Sequence, residues 1–404
     1  MMTHQCCIAG GGPAGLMLGL LLARAGVDVV VLEKHADFLR DFRGDTIHPS
    51  TLEVMAELGL LDQLLRLPHQ EVGVLVGKIG DTTLRIADFT KLPARCRFMA
   101  LMPQWDFLNL LAREAGRWPG FRLLMRAEVT DVLEDMGRVV GVRANTESGP
   151  VEIRADLVVG ADGRQSVVRT RARLPTKELG APIDVLWFRL SRTSEDPGGT
   201  FGRIDRGRIL VMLNRGDYWQ CGFVIAKGTL DALRARGIEA FRETITRLEP
   251  ALADSVHELH HWDDVSLLTV RVDRLTRWFR PGLLCLGDAA HAMSPVGGVG
   301  INLAIQDAVA AANVLAGPLR ENGVTLDHLR ALQRRRMLPT RVTQRIQLVV
   351  QNRVLGRVLQ GEGPVRPPWI VRQLARTPWV PRLTARLIGI GIRPEHVRTP
   401  AIQK

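Results

Sequence analysis

The amino-terminal segment constrains the fold of this chain most, because a cluster of glycines interrupts a run of apolar residues. The run around Ile8 predicts a strand, residues 16–25 predict a helix, and residues 27–33 predict a second buried strand. Together they predict a βαβ unit in which the glycines form the turn between strand and helix. The glycines also divide the run into pieces that are too short to cross a bilayer.

The glycine spacing in this turn predicts a nucleotide-binding loop. Such a spacing supplies a tight turn, a close approach of the backbone to a pyrophosphate and close packing of the helix. An acidic residue, Glu33, ends the second predicted strand 18 residues after the last glycine. At that place a carboxylate can accept hydrogen bonds from a ribose diol. The candidate binding residues of this unit are Gly10, Gly12, Pro13, Ala14, Gly15, Glu33 and Lys34.

Two more glycine motifs lie far along the chain. Residues 160–164 read Gly-Ala-Asp-Gly-Arg, and residues 287–302 hold a Gly-Asp pair followed by a proline and further glycines. A short apolar run, residues 283–286, predicts the buried strand that leads into the second of these motifs. We expect the three separated loops to converge on one long ligand, and the ligand that fits this arrangement is FAD.

Two single residues extend the predicted site, and each has an alternative explanation. Arg43 precedes a helix predicted to begin near Ser50, where a guanidinium can clamp phosphate oxygens. An ordinary surface arginine is the alternative. Gln104 opens the helix predicted over residues 104–118, and its amide can reach the sugar or ribityl region of the ligand. A glutamine that merely begins a helix is the alternative there.

The three motifs resemble those of group A flavoprotein monooxygenases, the para-hydroxybenzoate hydroxylase superfamily. The likeness covers about residues 5–345 and keeps the motifs in the family's order and approximate spacing. It implies that Asp288 binds a ribityl hydroxyl, that Pro295 packs beside the isoalloxazine, and that the amides after it face the pyrimidine end. The residues implied by this motif are Gly287, Asp288, Pro295, Gly297, Gly298, Gly300, Ile301 and Asn302. A helix that begins near Gly300 would direct its positive end at the flavin N1 and O2.

The same resemblance assigns residues to the nucleotide half of FAD. It implies that Asp162 and Gly163 contact the FAD pyrophosphate and a nicotinamide nucleotide. It also implies that Arg43 lies at the pyrophosphate, Gln104 near the ribityl chain, and the backbone of Val129 near adenine.

The predicted fold class is α/β, with a Rossmann-like FAD-binding domain of the para-hydroxybenzoate hydroxylase type. That domain is expected over residues 1–75, 95–180 and 274–345. Alternating apolar patterns between about 182 and 273 predict antiparallel strands, so residues 76–94 and 181–273 are assigned to a substrate-binding sheet domain. Residues 51–65 predict one helix. After Ile301 the chain is expected to be helical nearly to residue 387, with breaks at 317–318, 361–368 and 377–378.

The C-terminal region, residues 346–404, is predicted to be a basic helical tail. Residues 321–404 hold 16 Lys and Arg against 4 Asp and Glu, which accounts for the whole net charge of +12. An amphipathic helical lid on the FAD-binding domain is one interpretation, and contact with an anionic membrane surface is the other. Nucleic-acid binding is not favoured, because the tail contains no recognised module. Five scattered cysteines without metal-ligand spacing predict no metal site and a reducing cytoplasm.

The family resemblance also implies a mechanism. NADH or NADPH would reduce the flavin, O2 would add to it as a C4a-hydroperoxide, and this oxidant would hydroxylate an electron-rich substrate. The sequence shows no second glycine-rich βαβ unit, so the nicotinamide nucleotide is expected to visit a surface groove. His291 has the position of a general base, although in the family this histidine is mainly structural.

Substrate contacts are expected from the alternating-strand layer. The candidates are Trp187, Arg189, Met212, Tyr218, Trp219 and Phe223, and ordinary sheet packing is the alternative for each. Tyr218 is the single tyrosine of the chain, so a tyrosine-rich carboxylate pocket is excluded. An aromatic, quinone-like or polyketide-like substrate is therefore expected.

Three other functions fit the same motifs. An FAD-dependent oxidoreductase of this fold, such as a prenyl reductase, would bind the cofactor without hydroxylating anything. A halogenase is disfavoured, because the sequence lacks Trp-x-Trp-x-Ile-Pro. A catalytically silent FAD-binding protein whose tail recruits a partner or a membrane is the third.

Overall fold

The computed structural model describes residues 2–39, 46–80, 82–193, 199–359, 361, 373, 377 and 379–402 of the chain. Within these residues an eight-stranded sheet and a seven-stranded sheet account for most strands, and two small sheets hold the rest. This mixed α/β architecture with a helical C-terminal region confirms the predicted fold class.

A parallel layer forms the centre of the eight-stranded sheet. In spatial order its strands are β20, Leu283–Cys285, β11, Gly149–Gly160, β1, Met2–Ala9, β2, Val29–Leu32, and β8, Phe121–Leu124. Ala9 pairs with both Leu32 and Gly160, and Gly160 pairs with Cys285. The carboxyl ends of three strands therefore line up, and each of them leads into one of the glycine motifs.

Helices and short antiparallel strands complete this part of the chain. Helix α1, Pro13–Arg24, is almost entirely apolar and buried, and it packs against α4, Gln104–Ala115, and α8, Gly300–Arg320. Strands β9, Glu128–Asp135, and β10, Arg138–Thr146, extend the sheet alongside the first half of β11, and β19, Phe279–Arg280, pairs with β20. Cys6 and Cys285 lie in this core, and burial raises the pKa of both thiols.

The seven-stranded sheet comes from two separate stretches of chain. Its strands are β5, Val74–Ile79, β6, Thr82–Asp88, β13, Ile183–Ser191, β14, Phe201–Asp205, β15, Arg208–Asn214, β16, Tyr218–Ala226, and β17, Ser266–Leu268. The prediction of antiparallel strands holds for every pair except β5 and β14, which are parallel. The division into domains at particular residues stays a prediction.

Two helices in this region were not expected. They are α6, Leu230–Arg234, and α7, Gly237–Leu248. The ring of Phe241 on α7 contacts Phe188 and Phe223 edge to face, with centroids 5.7 and 5.3 Å apart. Helix α7 thus covers one face of the seven-stranded sheet.

The small sheets and the short helices lie between these layers. Strands β3, Thr46–Ile47, and β4, Gln70–Val72, flank β7, Met99–Leu101, while β12, Thr176–Glu178, pairs with β18, Asp273–Leu275. The single helix predicted over residues 51–65 is wrong. The chain forms α2, Pro49–Glu57, and α3, Leu61–Leu65, because Gly59 turns between them with a φ of 71°.

The long C-terminal helices also differ from expectation. The predicted break at 317–318 is wrong, because Pro318 lies in the last turn of α8. Because proline has no N–H, only the carbonyl of the half-buried Val314 loses its hydrogen bond within the helix. Helix α9, Leu326–Val350, continues through a π-helical turn, Gln351–Leu355, into α10, Gly356–Leu359, so the boundary drawn at residue 345 falls inside a helix. Most residues of the two later predicted breaks lie outside the described part of the chain.

The end of the chain packs on the rest of the molecule. Helix α11, Trp379–Ala385, and a π-helical turn, Arg386–Ile390, lead into an extended segment. In that segment Val397 N donates to Glu57 of α2 at 2.7 Å, and Thr399 O accepts from Arg24 of α1 at 2.8 Å. Among the described residues, Val296–Arg320 alone has the length and apolar composition to cross a membrane, but 83% of its most apolar window is buried in the protein.

Candidate active site

The first glycine loop connects β1 to α1 at the carboxyl edge of the sheet. A Cβ at Gly15 would overlap the carbonyl oxygen of Gly10, so this close packing of helix on loop requires glycine. A Cβ at Gly12 would meet no described atom within 4 Å. The backbone at Gly12 is therefore accessible beside the amino terminus of α1, where an anion is stabilised.

The three glycine motifs meet at this loop. Ala161 N donates to Ala9 O at 2.8 Å, and Leu286 N donates to Gly160 O at 2.9 Å. A Cβ on Gly287 would lie 3.2 Å from the Cβ of Ala14. The structure thus brings residues that are almost three hundred positions apart into one cradle.

Glu33 ties the loop to the end of β2. Its two carboxylate oxygens accept hydrogen bonds from Gly11 N and His35 N, both at 3.0 Å, and the residue is buried. Lys34 beside it is exposed. Ala127 N donates to Glu33 O at 2.9 Å, which places Val129, at the start of β9, near the same edge. The expected contacts of Glu33, Lys34 and Val129 with ribose and adenine stay predictions.

Asp162 shapes its own loop. Its carboxylate accepts hydrogen bonds from Ser166 Oγ at 2.5 Å and from Val168 N at 3.1 Å, at the start of α5, Val167–Arg171. Burial raises the pKa of Asp162, and these hydrogen bonds partly oppose the rise. A contact of this loop with a ligand is thereby left to the backbone around Gly163 and to Arg164.

An ion pair that was not predicted joins the second and third motifs. Arg164 Nε donates to Asp288 Oδ2 at 3.0 Å, and Arg164 Nη2 donates to Met293 O at 3.3 Å. The Nη1 atom of Arg164 is buried without a hydrogen-bond partner in the described structure. Asp288 is about one-third exposed, and no described residue bonds its Oδ1, which is consistent with the expected ribityl contact.

The third loop places Pro295 and the glycines before the start of α8 at Gly300, as expected. A Cβ at Gly298 would overlap the hydroxyl of Thr46, which donates to the Gly298 carbonyl at 3.0 Å. Gly297 is exposed, and Ile301 is buried in the first turn of α8.

Asn302 anchors the first turn of α8. Its Oδ1 accepts hydrogen bonds from His48 N at 3.1 Å and from Thr51 Oγ1 at 2.6 Å. Its Nδ2 is buried and has no partner among the described residues, so it can donate to a ligand. His48 Nδ1 in turn donates to Ile388 O at 2.7 Å, and burial lowers the pKa of His48 to about 4.

His291 belongs to a buried network. Its Nε2 lies 2.5 Å from Asp307 Oδ2, and Asp307 also accepts from Arg336 Nε at 2.8 Å and from Gly287 N at 3.2 Å. All three side chains are at most 1% exposed. Burial alone raises the pKa of Asp307, but His291 and Arg336 together hold it below its ordinary value. This placement favours the structural interpretation of His291 over the catalytic one.

The two single-residue candidates have different outcomes. Gln104 begins α4 as predicted, and its side chain is half-buried. Arg43 lies outside the described residues, so its expected contact with the pyrophosphate stays a prediction.

The substrate candidates lie on opposite faces of the seven-stranded sheet. Met212, Trp219 and Phe223 are buried in the core that packs under α7, which accounts for them as ordinary packing residues. Trp187, Arg189 and Tyr218 lie on the other face, where the guanidinium of Arg189 stacks 3.9 Å above the Tyr218 ring. The indole Nε1 of Trp187 is buried without a described partner.

A row of glutamines that was not predicted runs from the second half of α9 into the π-helical turn after it. Gln344, Gln347 and Gln351 are buried, and all three donate hydrogen bonds to the segment 292–296 that carries Pro295. Their spacing of three and four residues places them on one helix face. A polar face of this kind usually indicates exposure to solvent, so the pattern gave no warning of the site.

The residues present fit FAD. The glycine loop leaves backbone accessible at a helix amino terminus. Two buried donors, Asn302 Nδ2 and Arg164 Nη1, have no acceptor among the described residues, and FAD can supply one. The cradle extends from Glu33 through Asp288 to the start of α8, as a long dinucleotide requires.

Comparison with known proteins agrees with this geometry. Residues 3–346 match the family model described as the FAD binding domain. A 6-methylpretetramide 4-monooxygenase of Streptomyces rimosus is 34% identical over 401 residues, which are 98% of this chain and 95% of that protein. A 2,4-dichlorophenol 6-monooxygenase of Delftia acidovorans is 28% identical, over 74% of this chain and 55% of that protein.

Solved structures share the fold. The OxyS anhydrotetracycline hydroxylase of Streptomyces rimosus superposes with a TM-score of 0.76 at 23% identity, covering 97% of this chain and 77% of that one. The probable FAD-dependent monooxygenase pqsL of Pseudomonas aeruginosa also gives a TM-score of 0.76 at 23% identity, covering 89% and 98%.

These matches confirm the resemblance and the FAD cofactor, and they do not favour the reductase alternative. The chain therefore belongs to the FAD-binding-domain family of the para-hydroxybenzoate hydroxylase superfamily, and it is an FAD-dependent monooxygenase.

Proposed function

We propose that this monooxygenase hydroxylates a polycyclic, polyketide-like aromatic substrate, with NADH or NADPH as the source of hydride. One observation carries the proposal. The relative that is 34% identical over nearly the whole of both chains acts, by its name, on 6-methylpretetramide. The sequence is consistent with a large apolar ligand, because a tyrosine-rich pocket is excluded by its single tyrosine.

Bound FAD supplies the redox chemistry, taking hydride from the nicotinamide nucleotide and activating O2 for transfer of one oxygen atom to the substrate. The protein holds and shields the reacting groups. The backbone around Gly12 and the start of α1 would bind the pyrophosphate, and Asp288 would bind a ribityl hydroxyl. The amino terminus of α8, a helix of 21 residues, would face the pyrimidine end of the ring and would favour the negative charge of reduced flavin.

The substrate would lie between the loop that carries Pro295 and the Trp187 face of the seven-stranded sheet. A nicotinamide nucleotide would approach the loop 162–164, where Arg164 adds a positive charge. These placements follow the family's arrangement and the exposure of the residues concerned.

The test is a sequence of three measurements on the purified protein. After addition of FAD the protein should be yellow, and under anaerobic conditions NADH or NADPH should bleach it. With a hydroxylated polycyclic aromatic and isotopically labelled O2, one labelled oxygen atom should appear in the product. A protein that stays colourless with FAD, or a product without label, contradicts the proposal.

The C-terminal helix supports a second, separate proposal, that of contact with an anionic membrane surface. Trp379, Leu383 and Leu387 are 60%, 49% and 40% exposed at intervals of four residues, and Arg382 and Arg386 are exposed beside them. Such a stripe matches helices that lie in a membrane interface. Flotation with vesicles of phosphatidylcholine, with and without phosphatidylglycerol, is the test. Binding should require the anionic lipid and be lost in Leu383→Glu, and absence of binding to both vesicles contradicts this proposal.

A further inference from the structure

The row of Gln344, Gln347 and Gln351 contains one member that differs from the other two. Gln344 Nε2 donates to Asp273 O at 2.7 Å and to Ala292 O at 3.1 Å, while its Oε1 accepts from Arg274. Gln347 Nε2 donates to Ser294 O at 2.9 Å and to Val296 O at 2.8 Å, while its Oε1 accepts from Ser294 N. Each of these amides uses both its donor and its acceptor within the protein. Their role in holding the loop is complete.

Gln351 uses only one end of its amide. Its Nε2 donates to Ser294 Oγ at 2.8 Å, but its Oε1 is buried without a hydrogen-bond partner among the described residues, although the residue is 0% exposed. Turning the amide around would let the Ser294 hydroxyl donate to Oε1 and would leave the NH2 group unpaired instead. A buried amide that lacks a partner is destabilising unless a ligand supplies one.

The backbone at Gln351 is also unusual. Residues Gln351–Leu355 form a π-helical turn at the end of the regular α9. Turns of this type are rare and are frequently found at functional sites. The turn places Gln351 beside Ser294 and carries Leu355 onward to the seven-stranded sheet.

The surroundings of Gln351 place it near the expected flavin edge and the seven-stranded sheet. Ser294 immediately precedes Pro295 at the expected flavin edge. Leu355 packs against the hydrophobic cluster around Val185 and Val224, and Trp187 borders the same cluster. The ring of Trp187 lies over Gly222, since a Cβ there would come within 3.0 Å of it, and its Nε1 lacks a described partner. The π-helical turn therefore links an unused acceptor, on Gln351, to the hydrophobic cluster that an unused donor, on Trp187, borders.

We infer that Gln351 is a substrate-recognising residue whose Oε1 accepts a hydrogen bond from an aromatic hydroxyl, while Trp187 donates to a ring carbonyl. The inference rests on the proposed function for the position of the substrate. It adds a chemical requirement, because the ligand must carry a free hydroxyl and a carbonyl on a fused aromatic skeleton.

Calorimetric titration of the FAD-loaded enzyme with 2-hydroxyanthraquinone and its methyl ether, 2-methoxyanthraquinone, tests the inference. The wild type should bind the hydroxyl compound about tenfold more tightly, as one buried hydrogen bond allows. Gln351→Leu should bind the two compounds with affinities within about twofold of each other, because only its affinity for the hydroxyl compound falls. Gln351→Glu, which keeps an acceptor oxygen, should retain the preference. Trp187→Phe should lower the affinity for both compounds by the same factor.

Gln347→Leu is the matched control, because Gln347 lies on the same helix face with its amide fully used. It should bind FAD less tightly but, once saturated with FAD, should keep the tenfold preference. Equal binding of the two compounds by the wild type, no binding of either, or an unchanged preference in Gln351→Leu overturns the inference. If Gln351→Leu does not retain FAD, equal binding of the two compounds by Gln351→Glu overturns it. A wild type that shows the preference yet transfers no oxygen contradicts the proposed function alone.

Discussion

Replacement of Asp307 by asparagine is the sharpest test of how the cofactor loop is held. Asp307 is fully buried and accepts hydrogen bonds from His291, Arg336 and Gly287 N. An asparagine can keep one acceptor oxygen toward Arg336, but its NH2 group then faces the donors on the other side. Asp307→Asn therefore removes the negative charge of a buried ion pair and places the NH2 group of the asparagine against other hydrogen-bond donors.

The magnitude follows from the burial of Arg336, which is 1% exposed. Removing one partner of a buried ion pair typically costs about 3–5 kcal/mol. Glu395 lies 3.6 Å from Arg336 and keeps part of the charge balance, so the lower half of that range is expected. With an unfolding entropy of about 2 cal/mol/K per residue, the 404-residue chain should lose roughly 4 °C of thermal midpoint.

Thermal unfolding followed by circular dichroism, with and without FAD, measures this effect. Asp327→Asn is the control, because Asp327 pairs with Arg330 on the same helix as Arg336 but is 83% exposed. That surface pair should contribute less than about 1 kcal/mol, so the midpoint should hardly move. If both variants unfold within about 1 °C of each other, the buried network does not stabilise the cofactor loop and the reasoning is refuted.

Three further predictions concern the cradle and its pH dependence. Gly12→Ala should leave the midpoint of the FAD-free protein unchanged but weaken FAD binding at least about tenfold, whereas Gly15→Ala should lower that midpoint as well, because only the latter side chain overlaps protein atoms. Equal midpoints would contradict this. Asp288→Ala should weaken FAD retention, measured by equilibrium dialysis, far more than His291→Ala, and equal retention would count against the assignment of Asp288. Because burial lowers the pKa of His48 from 6.5 to about 4, the unfolded chain takes up a proton first, so stability should fall by up to about 3 kcal/mol as pH falls through this window. Urea unfolding at several pH values checks this, and His48→Asn should show a flatter profile.

Local sequence signals predicted the parts of this fold that depend on neighbouring residues. The turn from β1 to α1 was predictable because Gly15 packs on Gly10 within one supersecondary unit. The start of α8 at Gly300 and the strand before Gly287 were predictable because they, too, depend on neighbouring residues. Helix α7 could also have been found, since Ile238, Phe241 and Ile245 recur at helical spacing, but the alternating strands around it dominated the interpretation.

Contacts between distant charged or polar residues were not predictable. Arg164 and Asp288 form a pair across 124 positions, and Asp307 meets Arg336 across 29. Each of these residues is of a charged type that is usually exposed on protein surfaces. Burial of a charge depends on its partner, and a single sequence does not show which partner the fold supplies.

The buried network also changes the interpretation of the basic tail. Arg336 is counted in the excess of positive charge after residue 320, yet it is enclosed between Asp307 and Glu395. Arg335 donates two hydrogen bonds of 2.7 Å to the same Glu395, whose backbone N donates to Gln306 of α8. The extended segment near the carboxyl terminus therefore completes the charge balance around the residue that holds Gly287. It is part of the structure that supports the cofactor loop, and the exposed Arg382 of α11 and Arg386 of the turn after it are among the described arginines available for an external anionic partner.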